Sequence, residues 1–169
     1  MIKGIAKLIL ALNGNVSKTQ IAAGFAWGVL LGLVPAGNAF WIVLFLLSFF
    51  FTHHHGGKIA ALAILKIILP LLAVQIDKLG WYILHIDSLR PFFTSLYNMP
   101  FVPFTRFNNT LVMGGLASGI ILWLPVFFLF VAIIPFYRNT IGPKIKNSKI
   151  VKTIAGFPLF SMIDDMIKD

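Results

Sequence analysis

Apolar residues run almost unbroken over 21–34 and again over 39–51, with Pro35, Ala36, Gly37 and Asn38 between the two runs. Each run is about 14 residues, which at 1.5 Å per residue gives a helix of roughly 20 Å, short of the ~30 Å hydrocarbon core a spanning helix crosses. Ser17, with Gln20 three residues later, spells a capping box that starts the first helix. The spacing predicts a broken helical hairpin over 18–52, re-entrant if it leaves the bilayer on the side it entered. Pro35 and Gly37 are its breaks. Non-helical backbone at that depth is tolerated where protein packs around it or water reaches it. Gly24, Gly28 and Gly32 recur every four residues in the first run and leave one face as nearly bare backbone. That pattern suits close helix packing, with a ligand groove as the alternative.

The next apolar run, 58–76, is the best single spanning candidate, and the segment 58–77 carries Lys66 near its centre. An ionisable group at that depth costs several kcal/mol unless it reaches a wet or paired site. Lys66 therefore either snorkels to the interface or holds a lipid phosphate or carboxylate inside. Pro70 lies four residues on and removes the N–H that would bond the Lys66 carbonyl, so a break or kink is expected there. Residues 78–109 mix His85, Asp87 and Arg90 with Trp81, Tyr82, Phe92, Phe93 and Tyr97, the character of interfacial helices facing the external side. Between Met99 and Thr110 lie Pro100, Pro103, Arg106, Asn108 and Asn109, a structured loop whose amides can satisfy freed backbone or bind a headgroup.

Residues 110–137 repeat the first hairpin at an offset of 91. Thr19 matches Thr110, Gly24 matches Gly115, Ala26 matches Ala117, Gly28 matches Gly119 and Leu31 matches Leu122. Pro35 matches Pro125 after a slip of one residue. The alignment predicts a second broken helix at Pro125, packed through Gly115 and Gly119 against the first. At the ends, residues 1–13 place Ile2, Ile5, Leu8, Ile9 and Leu12 at helical spacing with Lys3 and Lys7 elsewhere, an interfacial amphipathic helix. The tail 138–169 carries Arg138, Lys144, Lys146, Lys149 and Lys152 and then a second amphipathic helix over 157–168. The fold expected is all-α, a polytopic membrane protein with two broken hairpins related by a pseudo-repeat. It forms one membrane domain, 1–169.

Composition sharpens this. Hydrophobic residues are 59% of the chain and charged residues 11%, outside the soluble range. The net charge of +9 would suggest nucleic acid in a soluble protein. Here the basic residues flank apolar runs, which fits anionic headgroups and a cytoplasmic location for both termini. Lys3 and Lys7 lie in a run too short for a signal sequence, so insertion without cleavage is expected. Cysteine is absent, so thiolate chemistry is excluded. The acidic residues are Asp77, Asp87, Asp164, Asp165 and Asp169. None lies inside a long apolar run, so a proton-coupled carrier lacks its usual titrating group. His53, His54 and His55 are consecutive without a Cys or Glu nearby, a solvated cationic loop rather than a zinc site. No catalytic, metal or cofactor-binding pattern stands out.

The run AAGFAWGVLLGLVPAGN, together with PFTRFNNT leading into a second glycine helix, resembles an uncharacterised family of small bacterial inner-membrane proteins. That resemblance implies a gene pairing with a large envelope protein, and hence an inner-membrane subunit that anchors or lipid-loads a periplasm-spanning partner. The hairpin plan is also similar to that of the VTT (DedA-type) scramblases. Their acidic, proline-rich hairpin signatures have no counterpart here, so a proton-driven mechanism does not carry over. The function expected is non-enzymatic phospholipid transport between membranes, with Lys66, Asn38, Arg106, Asn108 and Asn109 lining a headgroup path. The alternatives are a small secondary transporter or channel for an anionic solute, and a purely structural assembly factor.

Overall fold

The computed structural model describes residues 16–141. The interfacial helix expected over 1–13 and the amphipathic helix expected over 157–168 lie outside the described residues. The described chain is helical throughout, with no strand among the described residues. The helices are α1 (Lys18–Leu33), α2 (Ala39–Leu47, followed by a 3₁₀ turn Ser48–Phe50), α3 (His55–Leu84), α4 (Arg90–Tyr97) and α5 (Thr110–Phe136). Further 3₁₀ turns span Asp87–Leu89 and Val102–Thr105, and a π turn Tyr137–Ile141 follows α5. The chain divides into two compact units, Met1–Val131 and Ala132–Asp169. The packing described below lies within the first.

The centre of that unit is α1. Ile21, Ala22, Ala26 and Leu31 are fully buried, and Trp27, Leu30 and Leu33 nearly so. A helix apolar on every side is stable only when enclosed. One wall is α3. A Cβ on Gly24 would run into the His54 carbonyl, one on Gly28 into the Lys58 carbonyl and the Ala61 side chain, and one on Gly32 into Leu65. The other wall is α5, where Gly115 meets the Leu33 carbonyl and Gly119 the Leu30 side chain. Phe25 stacks on Phe130 at 3.9 Å, and Trp27 meets Trp123 edge-on at 6.5 Å. The two walls touch each other where Gly80 of α3 lies on the Thr110 carbonyl and Gly114 of α5 on the Ile76 carbonyl. The Thr110 hydroxyl also donates to the Asp77 carboxylate there.

Several expectations change. Ser17 forms no side-chain cap on α1; its hydroxyl lies 2.6 Å from that of Thr19 instead. α3 runs on to Leu84 rather than ending near residue 77. The Asp77-Lys78 pair does not stop it, because Asp77 is tied to α5 and Gly80, two residues on, packs against the Thr110 carbonyl within the helix. Pro70 and Pro125 lie inside continuous helices, so the second broken hairpin over 110–137 is one uninterrupted helix. A proline alone removes one hydrogen bond, at a cost of about 3 kcal/mol. The apolar run on either side outweighs that. The break after α1 has more to it: Val34 is extended, as a residue before proline should be, Gly37 sits at φ +90° and Asn38 caps α2. The pseudo-repeat therefore does not make a symmetric pair.

Two helices are long and apolar enough to cross a membrane, His55–Leu84 and Thr110–Thr140. Both ends of the hairpin sit together beside the start of the first of these, since the His54 N–H donates to the Gln20 carbonyl at 2.9 Å.

The Gly80–Gly114 crossing should be the least tolerant contact in the fold. Gly80→Ala or Gly114→Ala is expected to cost about 1–3 kcal/mol through overpacking against backbone. Thermal unfolding in detergent would read this as a lowered midpoint, while Ala63→Val on the exposed face of α3 should leave it unmoved.

Candidate functional site

Where α1 stops, its last carbonyls lose their helical partners. The Leu30 carbonyl accepts from the Val34 N–H at 3.3 Å. The Leu31 carbonyl accepts from the Trp41 indole at 2.9 Å and the Pro35 carbonyl from the Asn38 amide at 2.8 Å. The Val34 carbonyl accepts from the Lys66 amine at 2.6 Å. Asn38, 6% exposed, also uses its own carbonyl to accept from the Trp41 N–H at 2.8 Å, which caps α2. One buried amide thus closes the hinge on both sides. Lys66 supplies a cation to the negative end of α1, the placement a helix dipole favours.

Lys66 therefore neither snorkels freely nor points into an open path. It is the C-terminal cap of a broken helix, donated across from α3. Two turns earlier on α3, Lys58 does the matching task at the other end of the hairpin. It is 2% exposed, and its amine donates to the Ser48 hydroxyl at 2.8 Å. That hydroxyl donates in turn to the Phe45 carbonyl at 2.6 Å. The amine also lies 4.0 Å from the centre of the Phe49 ring and 5.0 Å from that of Phe45, a cation–π arrangement. Among the described residues neither lysine has a carboxylate within ion-pair distance; the ion pair there is Arg90 with Asp87 at 3.2 Å, on the surface.

Sequence reasoning passed over Lys58, the first residue of the apolar run 58–76. Its spacing held the signal: Lys58, Ala61, Leu65 and Lys66 recur at helical spacing and share the α3 face that meets the glycines of α1. The three histidines are also structural in part. The His54 ring accepts from the Gly57 N–H at 3.1 Å and caps α3, and His53 Nδ1 lies 2.7 Å from the Phe51 carbonyl. Among the described residues no group of three His, Cys, Asp or Glu side chains is placed to hold a metal ion.

The five predicted headgroup residues fall into two groups rather than one path. Asn38 and Lys66 share the hinge. Arg106, Asn108 and Asn109 are exposed on the loop before α5. Asn109 caps α5 through the Val112 N–H at 3.1 Å, and Arg106 turns the chain at φ +53°. Asn108 lines an open groove of about 320 Å³ with His85, Arg90, Phe93, Tyr97 and Phe107. α2 packs against the Val102–Thr105 turn, so hinge and loop are neighbours without a shared hydrogen bond among the described residues.

Comparison with known proteins gives one informative relative. A Treponema pallidum (strain Nichols) protein, described only as an uncharacterized protein, is 30% identical to this chain over 159 residues, covering 94% of this chain and 98% of that one. No family model and no solved structure matches.

Two outcomes follow from the site. Asn38→Ala removes the α2 cap and the Pro35 tie together and should cost about 0.5–2 kcal/mol, read by thermal unfolding; Asn38→Ser, which keeps a capping oxygen, should recover part of it. Burial, chiefly, holds both His53 and His54 below their ordinary value of 6.5. The unfolded chain then binds more protons in that window, so stability is full above about pH 6.5 and falls as pH drops through the folded-state values. Unfolding midpoints in neutral detergent should decrease between about pH 7.5 and about pH 5.5, with a shallower decrease in His54→Asn.

Proposed function

The chain belongs to one family with that Treponema pallidum protein, and on that premise we propose that it is a multi-pass subunit of the bacterial inner membrane that anchors, or loads phospholipid onto, a large envelope-spanning partner. The observation that carries this reading is the pair of lysines, Lys58 and Lys66, turned inward from α3 onto a hydroxyl and a carbonyl, with no carboxylate within ion-pair distance among the described residues. A cation without a counter-charge at membrane depth is costly, and an anionic lipid headgroup is the partner a bilayer supplies in quantity.

The distribution of apolar surface supports the membrane placement. Ile67 and Leu71 of α3 are each 78% exposed and Phe128 of α5 is 63% exposed. Within the most apolar stretch of each long helix only 11% is buried inside the protein. In water such patches drive association; in a bilayer they are the solvated face. Two crossings, by α3 outward and α5 inward, return the chain to its starting side. The ends of the hairpin meet at Gln20 and His54, which supports a re-entrant path on that side. The basic residues of the tail, Lys144, Lys146, Lys149 and Lys152, make it the cytoplasmic side. The loop with Arg106 and Asn108 then faces the periplasm, where an envelope partner would collect lipid.

Because the chain has no cysteine, topology is testable without background. Single cysteines at Ser17 and Thr52 should resist a membrane-impermeant maleimide applied to spheroplasts, while one at Asn98 should react. Labelling at Ser17 and Thr52 on opposite sides would overturn the re-entrant path. Purification from native membranes with mass spectrometry of proteins and lipids should recover a large envelope protein and anionic phospholipid. Anion flux through liposomes containing this protein alone, with no such co-purification, would favour a transporter instead. Lys66→Arg should retain lipid delivery and Lys66→Met should impair it; delivery unchanged in both would remove Lys66 from the site.

A further inference from the structure

The loop between hairpin and α3 holds a group that the hinge does not use. His53 is 8% exposed, and its Nε2 is the one buried side-chain polar atom without a partner among the described residues. Its Nδ1 faces the Phe51 carbonyl. A carbonyl only accepts, so Nδ1 carries the hydrogen and Nε2 of the neutral ring is a bare lone pair. Lys58 belongs to the same cluster. Its amine lies over Phe49, the Phe49 ring is 5.3 Å from that of His55, and His55 is 4.7 Å from His53. The amine has three hydrogens and the described bond to Ser48 uses one. Lys58 lies in the first turn of the 30-residue α3 and His53 directly precedes its N-cap, His54, at the positive end of the helix dipole.

Among the described residues, the ionisable groups acting on this point are cationic when charged. The groups acting on His53 are Lys58, His55 and His54. α1 contributes Lys18, α2 contributes none, and α5 contributes none before Arg138. The cluster has room in its hydrogen bonding for an acceptor at Lys58, and among the described residues no negative charge acts on His53 to balance it.

We infer that this cluster is a phosphate site, in which a phosphate ester accepts from the Lys58 amine and from His53 Nε2–H, His53 taking one proton from solvent as the phosphate binds. Without a ligand, burial first and then the neighbouring Lys58, His55 and His54 lower the His53 pKa and favour the neutral ring. The phosphate brings the charge that reverses the balance, so each phosphate bound carries up to one proton with it. No bond is made or broken. The histidine supplies the titrating group that the apolar runs lack. The inference rests on the membrane placement proposed above but not on the envelope partner. The phosphate can come from a lipid headgroup or from free phosphate.

The test uses the full chain purified in dodecyl maltoside, with phosphatidylglycerol, phosphatidylcholine and inorganic phosphate as separate probes. Phosphatidylglycerol binding should tighten as pH falls from about 7.5 to about 5.5, by up to about tenfold per pH unit. His53→Gln should bind with no slope, His55→Gln should keep the slope, and Lys58→Met should bind about tenfold or more weakly. Inorganic phosphate binding with the same slope assigns a free-phosphate site, and a response to phosphatidylglycerol alone assigns a headgroup site; either supports the inference. An unchanged slope in His53→Gln, or binding of both lipids by the native chain that does not change with pH, overturns it. Should Lys58→Met not fold, a carbon-detected NMR titration of His53 in the native chain decides: its pKa should rise on adding phosphatidylglycerol, and no change refutes the site. None of these readouts involves a partner protein, so they fail independently of the proposed envelope role.

Discussion

A helix that stops inside hydrocarbon must find partners for the carbonyls it leaves behind, since no water is there to take them. On the proposed membrane placement, that constraint shapes this molecule. α1 ends at Leu33, and the polar atoms that close its end come from three places in the chain: Asn38 in the turn itself, Trp41 one turn into α2, and Lys66 from the neighbouring helix. The hinge is an internally satisfied cap. Lys66 sits at mid-helix because the end of α1 lies at that depth, and its cost is offset by the carbonyl and the helix dipole it meets.

Such reach requires helices in near-backbone contact. A lysine on α3 bonds to the end of α1 only because Gly24, Gly28 and Gly32 remove the side chains that would hold the two helices apart. α5 uses Gly115 and Gly119 in the same way on the opposite side, and α3 meets α5 through Gly80 and Gly114. On the proposed membrane placement, association of these apolar helices gains nothing from hydrophobicity, and dispersion across the close faces with the few buried polar bonds carries the packing. The glycines and the lysines are parts of one arrangement.

Much of this was legible beforehand, and the failures are of two kinds. The first hairpin, its turn at Pro35, Gly37 and Asn38, the apolar span through Lys66 and the small-residue faces could all be read from spacing. Pro125 could not be distinguished from Pro35 by a pairwise match, because what separates them is the context: Gly37 and Asn38 follow the first, while Val126, Phe127 and Phe128 follow the second. The end of α3 was misplaced because Asp77 looked like a terminus, whereas it is a tertiary partner of Thr110 some 33 residues away. Lys58 was hidden by its neighbours, being adjacent to a polar histidine loop yet turned into the protein. Asn109 was read as a ligand where local geometry makes it a helix cap. For Asp77 and Lys58 a contact distant in sequence decided the role; for Pro125 and Asn109 the immediate neighbours did.

The account turns on the hinge lying at membrane depth, held by protein groups. Ala36 is exposed within it and, at the end of a 16-residue helix, sits about 24 Å from its start. A nitroxide attached at Ala36→Cys in liposomes, with its relaxation measured against oxygen and a water-soluble nickel chelate, reads that depth directly. The label should be relaxed by oxygen and shielded from the chelate. Relaxation by the chelate as strong as for a label in bulk water would place the hinge outside the bilayer and contradict the account.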